Sequence, residues 1–429
     1  MQGHLPRVSA ALFFCAPFAI ALAAPIECAA PLDRPLPLGE AEQRLRNCNR
    51  DIRAAEIATL AAAADLRTAR QRPNPTLALG ASNVNPHAGW GAGPLRDKTF
   101  DSSVRLEQLV ERGGKTELRE EQAQALLDAA RADFAEQLRL QRLALRNAFF
   151  DLAAAQERVR LQGGFRSLSE ESASASEQRF RAGEVSHAEA DRFRLDAARA
   201  ANDLRQAQAE RQRLRLELAR LMGAETSAPA LEVQVSWGEG EAAPRVEGDR
   251  PDVAAARRRV DAAQAARELA RRIATRDVTV GIQADRWPVS ETNVQGTGIS
   301  YALTVSVPLH VRHANEGEAA RAQADFDAAL AVLERQRAQA AAEALLAEED
   351  WRAARERRAR VETEVRPAAN DVAAAAEFAY ARGATGVLDL LDARRSLKAV
   401  ELDEVQARAD AAKAWARREA AQETIAADR

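Results

Sequence analysis

Asp389 and Asp392, in VLDLLDAR, stand three positions apart, so a helix would send both carboxylates out from one face. Placed together they can concentrate cations and repel anions. In a chain with 64 acidic and 61 basic side chains they can equally belong to a solvated helix face. His310 and His313 have the same spacing, but in a stretch read as a strand end entering a turn. Two imidazoles without a third ligand seldom hold zinc, so no metal site is expected there. The sequence contains no nucleophile elbow, P-loop, dinucleotide glycine fingerprint or HExxH helix. Neither enzymatic activity nor a cofactor is expected.

The elements that would carry these side chains follow from composition. In 429 residues the formal charge is 61 − 64 = −3, which leaves no cationic surplus to exchange for the counterions of a nucleic acid. Apolar residues make up 46%, yet aromatics only 4%, because alanine fills the difference. Alanine favours helix but buries little area per residue, so long helices with thin seams are expected. Three cysteines, at 15, 28 and 48, supply neither a disulfide framework nor a CxxC zinc knuckle.

Residues 1–23 read as an export signal, with VSAALFFCAPFAIALA as its apolar core and small residues after it; cleavage could fall as late as residue 30. No other uninterrupted apolar run approaches 18 residues, the minimum for a membrane helix. If the exported chain crosses a membrane, it must do so as a β-barrel.

An internal repeat organises the rest. EQRFRAGEVSHAEADRFR (177–194) aligns with EFAYARGATGVLDLLDAR (377–394), Gln124 and Asp128 with Gln323 and Asp327, and NRDIRAAE with RPDVAAAR. The first repeat spans 38–222 and the second 250–425, joined by a Gly/Pro/Glu-rich linker at 223–249. Each repeat holds two alternating segments, at 76–83 and 100–110 and at 278–287 and 300–309. In the second, Phe100, Val104, Leu106 and Val110 share one face; in the fourth, Tyr301, Leu303, Val305, Val307 and Leu309 do. Alternation over about ten residues suits a tilted strand crossing a bilayer. A half-buried soluble sheet, and with it a secreted coiled-coil scaffold, is the competing reading. Four strands cannot close a barrel, which needs about eight, so the chain is expected to oligomerise; three copies would give twelve. Trp90, Trp287 and Tyr301 are candidates for an interfacial aromatic belt.

Between strands the chain reads as helix. Residues 114–179 hold no proline, on the order of 100 Å of rod at about 1.5 Å per residue. The matching stretch 314–381 has one breaker, Pro367, and shorter helices at 38–70 and 186–222 could line the long one end to end. Gly183 is read as a helix stop, followed by Ser186 as N-cap with Glu189 three residues on. The pair Gly163–Gly164 is the rival turn.

These segments resemble the TolC-type outer-membrane factors over about 38–425. The most specific part is AYARGATGVLDLLDARRSL (379–397), similar to that family's Y-x-x-G-x-x-x-x-x-D-x-x-D-A segment. VERGGKTELR (110–119), with Gly113, Gly114 and Lys115 at a strand-to-helix turn, is similar to the turn of the CzcC-like, heavy-metal branch. The second repeat lacks that turn, having His310-Val-Arg-His313 instead. The resemblance implies a homotrimeric twelve-stranded barrel in outer-membrane lipid, continued by a helical periplasmic tunnel. It implies a passive efflux duct for divalent metal cations, meeting a periplasmic adaptor and an inner-membrane resistance–nodulation–division pump. Ducts for organic toxicants or for type I protein secretion remain alternatives. Asp389 and Asp392 would form the constriction, Tyr380 and Glu189 the gate bonds between neighbouring hairpins, and Gly183, Gly383, Ser186 and Thr385 the adaptor-facing tips. Thr385 stands where some members place a gate arginine, and Arg192 occupies the position of Asp392 in the first repeat.

Overall fold

A computed structural model describes residue 28 and residues 34–84, 100–237, 248–288, 294, 298–309 and 315–426. The export signal, Trp90, His310 and His313 lie outside the described residues. In chain order the elements are β1 (Leu36–Pro37), α1 (Leu38–Cys48), α2 (Arg50–Ala69), β2 (Thr76–Ser82), β3 (Asp101–Val110), α3 (Lys115–Arg181) and α4 (His187–Leu221). Then follow β4 (Val233–Gln234), β5 (Gly248–Asp249), α5 (Pro251–Arg272), β6 (Val278–Trp287), β7 (Gly298–Ser306), α6 (Glu316–Arg360), α7 (Arg366–Ala381), α8 (Val387–Gln422) and β8 (Ile425–Ala426).

The two hairpins join into one antiparallel sheet in the order β2-β3-β6-β7, with β3 paired to β6 across the repeats. Register sorts the side chains into rows. Leu77, Leu106, Ile282 and Leu303 stand opposite one another, and so do Leu79, Val104, Ala284 and Tyr301. The other face carries Thr76, Glu107, Gly281 and Thr304, then Ala78, Arg105, Gln283 and Ala302. The apolar row is uncovered: Leu77 is 61% exposed, Ile282 57% and Leu303 72%. Gly281 is required on the polar face, because a Cβ there would lie 2.6 Å from Thr304 Oγ1 and 3.2 Å from Glu107 Cγ. Tyr301 joins the apolar face, but Trp287 alternates onto the polar one, where its Nε1 donates to Ser300 Oγ at 2.9 Å. Trp287 is therefore not a belt residue on the apolar side: strand period two puts it with Asp285.

α3 runs 67 residues without interruption, passing through Gly163 and Gly164. Long flanking helical runs outweigh the propensity cost of two glycines. The turn falls instead at Gly183, whose φ is +76°, and in the second repeat at Gly383, φ +72°. Gly183 N–H bonds Phe180 O and Glu184 N–H bonds Arg179 O; Gly383 and Ala384 repeat the pattern with Tyr380 and Ala379. Both are glycine C-caps of the Schellman type. α2 and α4 lie along α3 in succession, and α5 and α8 lie along α6, with α3 also touching α5 and α8.

Three expectations change. The helix expected at 38–70 is two helices, because Asn49 leaves the helical region (ψ 129°) and its Oδ1 accepts from Asp51 N–H and Ile52 N–H. The 223–249 linker is partly built in: residues 225–230 form a 3₁₀ turn, β4 pairs parallel to β1, and Ala228, Leu231 and Val233 are buried. They join Leu36, Leu45, Phe149, Leu218 and Met222 in the largest apolar cluster, which encircles the middle of α3. Third, Cys28 and Cys48 form a disulfide, Cα–Cα 5.6 Å. It closes against Gly223 (φ +61°), where a Cβ would sit 2.7 Å from Cys48 O. Ahead of Pro367 the second long helix takes one π turn, Val361–Val365, consistent with a proline that cannot donate to the helix ladder.

Candidate functional site

The far ends of the two helical hairpins meet in a small core. Phe193 of α4 packs with Val387, Leu390 and Leu391 of α8, and Ala173 and Tyr380 close it. The Phe193 and Tyr380 rings lie 6.3 Å apart. Burying residues 387, 390 and 391 fixes the rotation of α8 and turns the remaining side outward. Asp389 and Asp392 are on that side, both exposed, and make no hydrogen bond or ion pair among the described residues.

Their neighbours behave differently. Arg394 bonds Glu377 at 3.0 Å and Ser172 at 2.9 Å, Arg194 bonds Glu177 at 2.9 Å, and Lys398 bonds Asp203 at 2.7 Å. The Arg394–Glu377 and Arg194–Glu177 pairs are the same contact in each repeat. Glu177, Glu377 and Asp203 thus have cationic partners, whereas Asp389 and Asp392 have none among the described residues. Asp389 also lies in the first turn of α8, where the helix dipole favours negative charge.

Tyr380 links the hairpins. Its hydroxyl donates to Glu189 Oε1 at 2.9 Å, and Arg179 Nη1 donates to the Tyr380 hydroxyl oxygen at 3.4 Å. Burial, followed by the bond to Glu189, raises the Tyr380 hydroxyl above the ordinary tyrosine value. Ser186 Oγ accepts from Glu189 N–H at 3.2 Å, so the cap forms. The Glu189 carboxylate does not return to the cap as a capping box would; it reaches across to Tyr380. Arg179 was not singled out by sequence reasoning, although it precedes Phe180, the repeat partner of Tyr380.

The second tip is built differently. Gly386 replaces the capping serine and offers no side-chain bond, and Thr385 Oγ1 is buried without a partner among the described residues. Arg192, exposed on α4, stands where the second repeat has Asp392. The two repeats therefore present unlike charge at equivalent positions.

At the opposite end, Gly113 and Gly114 take φ +80° and +71° and deliver Lys115 to the start of α3. Lys115 Nζ is buried, donating to Thr275 O at 2.8 Å and Asp277 Oδ2 at 2.9 Å, and so locks the first strand-to-helix turn onto the loop before β6. The second repeat enters α6 through Asn315 at φ +58°, using asparagine where the first uses glycine. Among the described residues no cluster of three or more metal-binding side chains occurs, and no helix is long and apolar enough to cross a membrane.

Residues 42–224 and 243–427 match the family described as "Outer membrane efflux protein", one match to each repeat. The "Cobalt-zinc-cadmium resistance protein CzcC" of Cupriavidus metallidurans is 28% identical over 326 residues, 73% of this chain and 75% of that protein. Among solved structures, the CusC channel superposes with a TM-score of 0.74 at 15% identity, covering 90% of this chain and 91% of its own. VceC from Vibrio cholerae gives a TM-score of 0.74 at 18% identity, covering 90% and 95%.

Proposed function

The chain belongs to the outer membrane efflux protein family and is a protein of the bacterial outer membrane, and on that footing we propose that it is the passive exit channel of a tripartite efflux system. The observation that carries this reading is the four-stranded sheet with one uncovered apolar face and two unpaired edges, β2 and β7. Because the strands alternate in direction, β7 of one copy is antiparallel to β2 of the next, and three copies close twelve strands into a barrel. The apolar rows then face lipid and the Thr76, Glu107 and Thr304 side lines the lumen.

The helices continue the barrel as a periplasmic tunnel. With no nucleotide-binding motif in the chain, the energy comes from an inner-membrane pump of the resistance–nodulation–division type. A periplasmic adaptor engages the Gly183 and Gly383 tips, with Ser186 and Thr385 beside them. Threefold symmetry gathers Asp389 and Asp392 into six carboxylates that concentrate cations at the constriction. The Tyr380–Glu189 bond and Arg179 hold the hairpins in the closed arrangement. The cargo is divalent heavy-metal cations, supported by the cobalt–zinc–cadmium relative and by VERGGKTELR.

Extraction of outer membranes in detergent should give heat-modifiable trimers, and a deletion strain should become sensitive to divalent metals. A water-soluble monomer would sink the channel reading. Sensitivity confined to organic toxicants, or loss of one secreted protein, would leave the channel and remove the metal cargo.

A further inference from the structure

The apolar rows of the sheet stop at the strand-to-helix junction, and arginine follows them. Val110 of β3 pairs with Val278 of β6. Just past this last pair, two residues after Val110 and two before Val278, stand Arg112 and Arg276, and both are exposed. The backbone between them is tied, since Arg112 N–H donates to Asp277 Oδ1 at 2.9 Å. Arg72, ahead of β2, and Arg272, at the end of α5, are exposed at the same junction. Arg72 also borders a cavity of about 490 Å³ that Val110 and Gly114 help to line.

None of these four guanidinium groups makes a hydrogen bond or ion pair among the described residues. Three carboxylates near them are already engaged: Glu111 with Arg119 and Thr116, Asp277 with Lys115, and Glu268 with Arg271. Other arginines of the chain do find such partners: Arg146, Arg194, Arg250 and Arg394 are each bonded to a carboxylate. Like charges facing each other across a ladder are unfavourable unless an anion comes between them. A guanidinium is shaped to take phosphate oxygens in pairs.

We propose that Arg72, Arg112, Arg272 and Arg276 form a belt that binds anionic phospholipid headgroups at the periplasmic surface of the outer membrane, fixing the depth at which the sheet sits. This rests on the reading of the apolar rows as lipid-facing, and it adds a specific lipid charge that the rows alone do not require. Three copies bring twelve arginines to one level, where an anionic surface attracts each of them.

The full-length protein would be reconstituted into vesicles of phosphatidylethanolamine and into vesicles in which part of it is replaced by phosphatidylglycerol. Lipids retained after extraction would then be counted by native mass spectrometry. The wild type should retain phosphatidylglycerol about tenfold over phosphatidylethanolamine, a preference that weakens with added salt. Combining Arg72→Gln, Arg112→Gln, Arg272→Gln and Arg276→Gln should bring the two lipids within about twofold, whereas Arg205→Gln on α4 should leave the preference intact. Equal retention by the wild type overturns the belt without need of any variant, and so does a preference the fourfold variant keeps. Insertion into both vesicles without preference leaves the channel reading standing, while insertion into neither removes both.

Discussion

The Tyr380 hydroxyl of α7 donates to Glu189 Oε1 of α4 at 2.9 Å, joining side chains 191 positions apart in sequence. The bond spans the two helical hairpins close to their tips, where the Arg394–Ser172 and Lys398–Asp203 contacts, farther from the turns, also join them, so it is placed to hold their ends together.

Removing it should loosen the tip. Tyr380→Phe keeps the ring against Phe193 and deletes one bond to a carboxylate, about 1 kcal/mol for a partly exposed pair. Single-channel conductance in planar bilayers should rise, or openings lengthen, with the trimer intact; unchanged gating would mean the bond holds nothing. The pH dependence has a definite sign. The Tyr380 pKa is raised in the folded state. Its contribution is therefore fully present below the unfolded value of about 10 and is lost as pH climbs through the higher folded value. An alkaline step in conductance, absent in Tyr380→Phe, is the expected trace.

Asp389→Asn with Asp392→Asn removes two carboxylates that have no cationic partner among the described residues. Folding should change little, because no bond is lost and only the helix-dipole contribution of Asp389 goes, about 0.3–1 kcal/mol. Cation preference and block by divalent cations should fall by about tenfold or more, read as a shift in reversal potential under a salt gradient. If selectivity stays as it was, the constriction lies elsewhere.

The Cys28–Cys48 disulfide closes a short loop, with a sequence separation of 20. Chain entropy assigns such a loop about 3 kcal/mol. Cys48→Ser, or reduction with dithiothreitol, should lower the unfolding temperature of the region around α1, measured by hydrogen exchange of its amides. The intact mass of the exported chain should include Cys28, placing signal cleavage before it.

Lys115→Met leaves Asp277 beside an apolar chain and Thr275 O without its donor. A cost of about 2–3 kcal/mol is expected for breaking a largely buried pair. Thermal denaturation should show it, and Asp277→Asn added to Lys115→Met should recover part of the loss, since the uncompensated charge disappears.

Much of this fold was legible locally. Alternation at 278–287 places β6 where it is found, and the glycine at 183 stops α3, because strand period and left-handed backbone are properties of a few neighbouring residues. Trp287 was misplaced for a related reason: aromatic character suggested a belt, but parity on the strand sends it to the polar face with Ser300. The break at Asn49 also had a local signal, a good N-cap followed by Asp51, but alanine on both sides hid it.

The sequence alone determined two matched amphipathic hairpins and long alanine-rich helices, and it narrowed the first turn to Gly183 or the Gly163–Gly164 pair, between which the structure chose Gly183. Each of these depends on spacing within one or two helical turns or a single strand. Only the tertiary structure decided that β3 pairs with β6, that Glu189 turns from its own cap to Tyr380, whose hydroxyl Arg179 also approaches, and that Cys28 meets Cys48. It also decided that Asp389 and Asp392 stand without a cation while nearby carboxylates are paired. Charge pairing is a matter of which helix face meets which, and that is set by burial of Phe193 against Leu390 and Leu391 rather than by the order of charges along the chain.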